Sequence, residues 1–557
     1  MTDREDSSYE GRIEAAKIAR DRPIENNKSN GEENKYKDAN GKLNYIANFT
    51  KGLKHHEKSH QDAGEVISED YRDLRDAIQS EDPKELQDII LGGQQKFVNP
   101  EAAFAFDLEG PDSHHLAIKP APTLDSEELA GEMGELYWMA LCRDIPFSTF
   151  STDPLIQEAA ADLDNNYGDF PVVPNTDGGE FKKKPVDPST IFRGMTDGDF
   201  KGEYISQFLI QDIQWGSQVL KQVQNTLEPK VDYLTDYGTW LKIQNGDFGN
   251  EKDTLTGNER YILTGRDLAR YVHVDALYQA YLGACLILLH DEYDFDPNMP
   301  LHNENSRTTM GFGTFGGPHI LSLVTEVATR ALKCVWYQKW GVHRRLRPEA
   351  VGGLIHRQKN ADVKVDPELT APNPDYPLNK MVLESKVLDK VFKHNMEQNK
   401  NKPENFGTYL LPMAFKEGSP FHPSYGAGHA TVAGACTTIL KAWFDGEQQM
   451  KYHYQFEPDG TIANTHLPGN PHGLTVNDEL NKVAANIAIG RNWAGVHYRK
   501  DYTESLILGE KVAIGVLQEQ ALCYEMDPKN PKGFFKCTLT KFDGSKIKFN
   551  GAKIEIL

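Results

Sequence analysis

The chain has 557 residues, of which 39% are hydrophobic, and it carries 82 acidic against 61 basic residues, a formal net charge of −21. This apolar content is enough for a large core, so wholesale disorder is excluded. The negative charge argues against nucleic acid or an anionic membrane as the main partner, and it makes any local cluster of Lys and Arg informative. The six cysteines include no Cys-x-x-Cys pair, which predicts buried, reduced thiols, with a Cys523–Cys537 bridge as an alternative.

The N-terminal stretch is polar. Its first residues, Met1–Asp6, are acidic and lack an apolar run, so no signal peptide is expected. The most apolar run of the chain, Tyr278–His290, is too short to span a bilayer. We therefore expect a soluble, cytoplasmic protein. Residues 1–70 are dominated by Asp, Glu, Lys, Asn and Ser, which predicts a flexible N-terminal arm that orders against a neighbouring subunit.

Helical periodicity dominates the remaining sequence, residues 71–557. The spacing of apolar residues predicts helices over Glu127–Leu141, Asp267–Leu289, Ile320–Trp340, Leu383–Phe392, Ala430–Trp443 and Asp501–Ala521. Cys537–Leu557 alternates like a short hairpin. The sequence predicts an all-α fold with minor β hairpins.

Two acidic runs resemble the start of a calcium loop. They contain Asp162, Asp164 and Asn166 in one case and Asp294, Asp296 and Asn298 in the other. Neither run has the glycine at position 6 or the glutamate at position 12, so an EF-hand is excluded. A looser structural calcium site stays a prediction.

The stretch Gly490–Asp501 places Arg491 six residues before His497 and Asp501 four residues after it. Four residues make one helical turn, so the Asp501 carboxylate can reach a ring nitrogen of His497 and fix its tautomer. Six residues do not share a face, so we expect a chain break near Gly495. An oriented histidine beside a guanidinium suits a tetrahedral oxyanion. For this stretch alone, a surface salt bridge is the alternative.

Four cations crowd the end of a predicted helix: Lys339, Arg344, Arg345 and Arg347. The middle two match the preference of basic residues for a helix C-terminus. Lys339 shares its face with Trp336, a poor environment for a charge without a partner. Arg347 precedes Pro348, which holds it extended and directs it away from the helix.

A glycine-rich run, His422–His429, opens the next predicted helix. Gly426 and Gly428 allow close approach of the backbone to a ligand, and a helix N-terminus binds anions. His429 lies in the first turn, where it could exchange a proton with a bound group. An ordinary glycine-rich cap with solvent-facing histidines is the alternative. Together the three stretches predict a site for a tetrahedral oxyanion.

The three motifs read Lys-x7-Arg-Pro, Pro-Ser-x-x-x-Gly-His and Arg-x5-His-x3-Asp. This pattern resembles the signature of vanadium-dependent haloperoxidases and of the type 2 acid phosphatase superfamily. The stretches that begin at Phe104, Glu135, His343 and Phe421 are similar to those of the bromoperoxidases of red algae and their cyanobacterial relatives. The resemblance extends from about residue 45 to the end.

This resemblance implies two four-helix bundles in one domain, with the vanadate site in residues 320–521, and assembly as a dodecamer built from dimers. It implies that His497 ligates vanadium, that Asp501 orients His497, and that His429 is the catalytic acid–base group. His422 would be the outer histidine of the bromoperoxidases. The vanadate oxygens would be held by Lys339, Arg347, Arg491 and the Gly428 amide.

The implied activity is that of a vanadate-dependent haloperoxidase. Hydrogen peroxide would oxidise bromide and iodide, with chloride as a further candidate, to hypohalous acid that halogenates small organic nucleophiles. Lys339 would polarise the peroxide bond, and Trp336 occupies a position that influences halide choice. The main alternative is an acid phosphatase of the same superfamily that acts through a phosphohistidine on His497. A non-enzymatic assembly protein with a degraded anion site is the third hypothesis.

One residue departs from the family pattern. Ala427 stands where family members usually carry a serine, so one hydrogen bond to a vanadate oxygen would be missing. Such a bond to a charged group contributes about 1.5–3 kcal/mol. We therefore expect weaker retention of vanadate rather than its abolition.

Overall fold

The structure is a computed structural model. It describes residues 4–38, 40–168, 170, 172–173, 182–183, 186–248, 253–302, 306–363, 366, 369, 374–456, 462–468, 470–525 and 533–557.

The described chain is mainly helical, which confirms the predicted fold class. The α-helices are α1 (Arg4–Arg20), α2 (Ser68–Ser80), α3 (Pro83–Gln87), α4 (Glu127–Cys142), α5 (Pro154–Asn166), α6 (Tyr237–Gln244), α7 (Gly265–Tyr271), α8 (Gln279–His290), α9 (Gly317–Trp336), α10 (Pro348–Val363), α11 (Lys380–Leu383), α12 (Lys386–Asn399), α13 (Gly428–Trp443), α14 (Val476–Trp493) and α15 (Arg499–Gln520). A π-helical segment follows α9 over Tyr337–His343. Short 3-10 segments are Glu32–Asn34, Pro100–Phe104, Ser113–His115, Phe147–Thr149, Gln207–Leu209 and Ala521–Tyr524.

The strands are short and antiparallel. They are β1 (Val172–Val173), β2 (Lys182–Lys183), β3 (Ile213–Trp215), β4 (Gln218–Leu220), β5 (Gln224–Leu227), β6 (Leu255–Arg260), β7 (Tyr452–Phe456), β8 (Ile462–Pro468), β9 (Lys536–Thr540), β10 (Lys546–Asn550) and β11 (Lys553–Ile556). The first eight pair two by two along the chain, and the last three form one sheet with β10 in the middle. The predicted tail hairpin is therefore a three-stranded meander.

Helix α13 is the centre of one helical bundle and packs against α9, α14 and α15. Two glycines set the close approach of α13 to α15. A Cβ added to Gly434 would lie 2.0 Å from the Leu506 carbonyl oxygen, and one added to Gly509 would lie 1.9 Å from the Thr431 carbonyl oxygen. Any side chain at these positions would force the two helices apart. The glycines therefore determine how closely α13 packs against α15, and so how the N-terminal end of α13 is placed. A second group forms around α4, which contacts α5, α11 and α12.

Two predicted helices are interrupted. The predicted helix Asp267–Leu289 is divided into α7 and α8, because His273 and Asp275 of the connecting segment bond to other parts of the chain. The predicted helix Ile320–Trp340 ends as α9 at Trp336 and continues as the π-helical segment. Such π segments occur frequently at functional sites.

The predicted N-terminal arm has two structurally different parts. Helix α1 contains no buried residue. By contrast, Tyr45, Phe49 and Leu53 are buried in a cluster with Trp340. A few large apolar side chains, widely spaced in a polar stretch, are sufficient to anchor this second part, and the division of the chain at residue 70 stays a prediction.

The six cysteines are all free, and all except Cys523 are buried. The Cys523–Cys537 bridge considered above is therefore not formed. Within the part of the chain that the structure describes, no helix combines the length and the apolar character required to cross a bilayer.

Candidate active site

The three sequence motifs meet at the N-terminal end of α13. The π-helical segment supplies Lys339, whose ammonium group donates hydrogen bonds to the carbonyl oxygens of Pro423 (2.8 Å) and Ser424 (3.1 Å). The Lys339 side chain is fully buried. Burial, reinforced by the nearby charge of Arg347, holds the Lys339 pKa well below its ordinary value. The side chain of Lys339 therefore bonds to backbone carbonyl oxygens of the glycine-rich motif.

Arg347 connects the other two motifs. Its Nε donates to the carbonyl oxygen of His422 (2.9 Å), and one terminal nitrogen lies 2.9 Å from His422 Nδ1. The other terminal nitrogen donates to the carbonyl oxygen of Val496 (2.8 Å) and lies 3.1 Å from His497 Nε2. Burial lowers the pKa of Arg347, and the neighbouring charge of Arg491 lowers it further.

His497 is buried and held from both sides of its ring. Its Nδ1 lies 2.8 Å from an Asp501 oxygen, as the four-residue spacing predicts. The intervening chain turns at Gly495, which has a φ of 83°, so the expected break between Arg491 and His497 is confirmed. Because Asp501 accepts a hydrogen bond from the Nδ1–H group and Arg347 donates toward Nε2, the arrangement favours the tautomer with a lone pair on Nε2.

Asp501 is bound by two residues to which the sequence assigned no site role. One oxygen accepts a hydrogen bond from Arg345 (2.7 Å), and the other accepts one from the Ser424 hydroxyl. Although burial opposes ionisation, the charge of Arg345 and the bond to His497 hold the Asp501 pKa well below its ordinary range. From the sequence, Arg345 was interpreted as a helix-terminal charge. Ser424 was part of the Pro-Ser motif, but no function was assigned to its side chain.

His422 lies on the other side of Arg347. It is buried, and its ring lies 5.0 Å from the ring of Trp336, measured between centroids. The Trp336 indole nitrogen donates to the Val98 carbonyl oxygen at 3.1 Å, which fixes the indole orientation. Burial and the charge of Lys339 hold the His422 pKa well below its ordinary value, so the ring is neutral near pH 7.

His429 lies in the first turn of α13 and is half-buried. Its Nε2 lies 3.1 Å from a carboxylate oxygen of Asp275. Asp275 lies between α7 and α8, inside the helix that the sequence predicted to be continuous. Helical periodicity could not identify it as a site residue.

Arg491 is buried in the last turn of α14. One terminal nitrogen donates to the Val272 carbonyl oxygen at 3.0 Å, whereas its Nε is buried without a hydrogen-bond partner among the described residues. A buried, unpaired donor is costly unless a further group accepts its hydrogen bond. The orphaned nitrogen therefore points to a missing acceptor.

Gly428 begins α13 and Ala427 precedes it as the N-cap residue. A Cβ at position 428 would lie 3.1 Å from the Trp336 ring, so a side chain there would press on the indole. Ala427 provides no side-chain cap, and its own N–H donates to the Ser505 hydroxyl at 2.8 Å. The helix N-terminus thus offers backbone N–H groups without a side-chain acceptor from position 427.

Three cations, Lys339, Arg347 and Arg491, are buried around this helix N-terminus. Among the described residues, none of them forms an ion pair with a carboxylate. Buried cations are strongly disfavoured without a counter-charge. Their arrangement beside the Nε2 lone pair of His497 therefore fits a multiply charged tetrahedral oxyanion.

Known proteins match this chain over nearly its whole length. A family model for the VCPO second helical-bundle domain matches residues 386–524. The chain is 39% identical to the vanadium-dependent bromoperoxidase of Corallina officinalis, over 98% of this chain and 99% of that protein. It is 34% identical to the vanadium-dependent bromoperoxidase of Ascophyllum nodosum, over 94% of this chain and 89% of that protein.

The solved structures include a homohexameric structure of the second vanadate-dependent bromoperoxidase from Ascophyllum nodosum. It matches with a TM-score of 0.85 and 29% sequence identity, over 100% of this chain and 92% of that chain. The fold, the buried oxyanion site and the full-length relatives lead to one conclusion: this chain belongs to the vanadium-dependent bromoperoxidases.

Proposed function

We propose that the buried cationic site binds vanadate and uses hydrogen peroxide to oxidise bromide to hypobromous acid, which then halogenates small organic nucleophiles. The observation that carries this proposal is the cluster of three buried cations, none of which has a carboxylate partner among the described residues. Iodide, which is easier to oxidise than bromide, is expected to react as well. Chloride, which is harder to oxidise, is a further candidate substrate.

The donor set fits vanadate. Lys339, Arg347 and Arg491 would hold its oxygens by charge-assisted hydrogen bonds, together with the N–H of Gly428. His497 would ligate vanadium through Nε2, the nitrogen that faces Arg347. When bound, vanadate supplies a Lewis acid that activates peroxide without a change in the oxidation state of the metal.

Asp501 has a positioning function in this proposal. It holds His497 in the tautomer with an unprotonated Nε2, while Arg345 and Ser424 keep the Asp501 carboxylate ionised and fixed. This network fixes the proton on Nδ1, while burial and the charge of Arg347 hold the His497 pKa well below its ordinary value, so Nε2 keeps its lone pair for vanadium.

His429 would move the protons of the reaction. Its ring is half-buried at the start of α13, and Asp275 holds one ring nitrogen through the 3.1 Å contact. A histidine that is oriented by a carboxylate can accept a proton from incoming peroxide and return it to a leaving water. Lys339 would polarise the peroxide bond with its ammonium charge. The buried, neutral His422 would hold the Arg347 guanidinium in position through its contact with one terminal nitrogen.

Assembly and further ligands extend the proposal. The hexameric relative supports a homo-oligomer, and a dodecamer built from dimers stays a prediction, as does a cytoplasmic location. The predicted calcium site also stays a prediction. Two of its candidate carboxylates accept hydrogen bonds within the protein: Asp162 from the Trp138 indole, and Asp296 from the backbone N–H groups of Asn298 and Thr538.

The decisive experiment is halogenation of a diketone reporter with peroxide and bromide. The protein is first freed of bound oxyanion and then given either orthovanadate or phosphate. We expect activity with vanadate alone, and inhibition of that activity by excess phosphate. No halogenation, combined with vanadate-inhibited hydrolysis of a phosphate ester, would overturn the proposal in favour of a phosphatase.

A further inference from the structure

A second group of ligand-type side chains lies at the base of the β7–β8 hairpin. His453 belongs to β7, His472 lies in the turn before α14, and Glu203 precedes the 3-10 segment Gln207–Leu209. One ligand atom from each of these residues lies within 4.8 Å of the ligand atoms of the other two. The group brings together two imidazoles and a carboxylate from three separate parts of the chain.

His453 is the informative member of this group. Its side chain is buried, with 3% exposure, and its Nε2 has no hydrogen-bond partner among the described residues. A buried, unsatisfied ring nitrogen beside two further ligand groups indicates a missing partner.

The backbone around this group is held in place. The Gln207 side chain accepts from the Tyr454 N–H at 2.7 Å and also donates to the Tyr454 carbonyl oxygen, so the strand that carries His453 is fastened to the segment that follows Glu203. A Cβ added to Gly202 would lie 3.0 Å from the His472 ring. The ring therefore lies directly against the backbone next to Glu203.

We propose that Glu203, His453 and His472 bind a divalent transition-metal ion, for which zinc is the matching probe. Two imidazoles and one carboxylate form a typical zinc donor set that leaves a position for water. Zinc holds such ligands at about 2.0–2.2 Å, which places pairs of ligand atoms about 3.3 Å apart. His472 is exposed and Glu203 is partly exposed, so small side-chain rotations can close the site.

The bound ion would act as a clip between the hairpin and the helical body. It would join β7 and the turn before α14 to the segment before Gln207, and it would add to the hydrogen bonds between Tyr454 and Gln207. Because metal binding to the folded chain stabilises that state, the hairpin would open less often when the ion is bound.

The chain contains a second, weaker cluster, which serves as a control. His56, His60 and Asp62 also place ligand atoms close together. However, His60 Nδ1 already accepts from the Asp62 N–H at 3.0 Å, and the His56 and His60 rings stack with centroids 4.0 Å apart. One donor atom is therefore occupied in the absence of a metal.

The test measures zinc binding by the full-length protein after treatment with a chelator, in competition with a chromophoric zinc indicator. We expect one tight zinc ion per chain. His472→Ala removes an exposed ligand without changing the core, and Glu203→Gln removes the carboxylate charge. Each should weaken zinc binding by at least about tenfold, the lower bound known even for outer partners of metal ligands. The His290→Ala variant changes an exposed histidine that belongs to neither cluster; it is the matched control and should bind zinc like the unmodified protein.

Three outcomes would overturn the proposal. The first is the absence of tight zinc binding in the unmodified protein. The second is unchanged zinc affinity in His472→Ala and Glu203→Gln. The third is loss of zinc in His60→Ala with retention in His472→Ala, which would assign the ion to the other cluster. Hydrogen exchange of β7 gives an independent readout: zinc should slow exchange in the unmodified protein and not in His472→Ala.

Discussion

Two arginines that are two residues apart have opposite electrostatic environments. Arg345 pairs with Glu132 at 2.6 Å and with Asp501 at 2.7 Å, and these carboxylates raise its pKa against the effect of burial. Arg347 is just as buried and forms no ion pair with a carboxylate among the described residues, so burial lowers its pKa. The nearest acceptors of Arg347 are carbonyl oxygens and the rings of His422 and His497.

This difference separates structural from ligand-binding cations. A buried ion pair is complete without a ligand, and it is broken only at a large cost. An unpaired buried cation costs free energy in the empty protein, and binding of an anion recovers that cost. Arg345 therefore belongs to the scaffold that orients His497, whereas Arg347 belongs to the group of cations that we propose binds the oxyanion.

The largest effect on stability is expected for Arg345→Met. The change leaves Glu132 and Asp501 buried without their shared cation, which costs about 3–5 kcal/mol of unfolding free energy. Chemical denaturation followed by tryptophan fluorescence would measure it. Arg345→Lys, which keeps the charge, should lose clearly less. An Arg345→Met protein as stable as Arg347→Met would contradict the distinction between the two arginines.

The matching change at the other position, Arg347→Met, should mainly affect activity. Loss of one cation that stabilises developing negative charge typically lowers kcat by about 10²–10³-fold. The stability loss should be smaller than for Arg345→Met, because removal of an unpaired buried charge offsets the lost bonds to carbonyl oxygens. Bromination rates and denaturation curves on the same protein samples would test both parts. Activity within tenfold of the unmodified enzyme would show that Arg347 does not bind the anion.

A smaller gain is expected from Ala427→Ser. The added hydroxyl would donate one more hydrogen bond to a vanadate oxygen at the start of α13, and a bond to a charged group contributes about 1.5–3 kcal/mol. Vanadate retention during dialysis, measured with recovery of bromination activity, should increase. Ala433→Ser makes the same chemical change further along α13 and serves as the control. Equal or weaker retention by Ala427→Ser would refute the prediction.

The pKa of His343 provides a test of the positive electrostatic potential produced by Arg344 and Arg345. Both ring nitrogens are buried and have no hydrogen-bond partner in the part of the chain that the structure describes, and burial together with Arg344 and Arg345 lowers the pKa of His343 to about 3. The unfolded chain takes up this proton below about pH 6.5, so stability is lost as the pH falls from about 6.5 toward 3. At pH 5 this loss amounts to about 2 kcal/mol.

The His343→Phe variant removes this titration. The difference in unfolding free energy between pH 8 and pH 5 should therefore be smaller than in the unmodified protein. His290→Ala, an exposed histidine elsewhere, should leave the difference unchanged. An unaltered pH dependence in His343→Phe would mean that His343 takes up its proton as readily in the folded protein as in the unfolded chain.

The sequence alone determined the features that depend on short spacing. The contact between His497 and Asp501 and the turn at Gly495 lie within a few residues of one another, so local backbone geometry decides them. The long helices α13 and α15 likewise follow from periodicity, since their apolar residues repeat with the helical period. The same local information could not show that the chain between α7 and α8 unwinds.

Tertiary packing alone decided which charges are neutralised. Arg345 meets Glu132 across 213 residues, and His429 meets Asp275 across 154 residues. No local preference specifies such pairs, because they depend on how closely the helices pack and on which side chains the packing removes from water. Lys339, Arg345 and Arg347 have similar sequence surroundings, and only the folded chain separates the paired arginine from the two cations that have no carboxylate partner among the described residues.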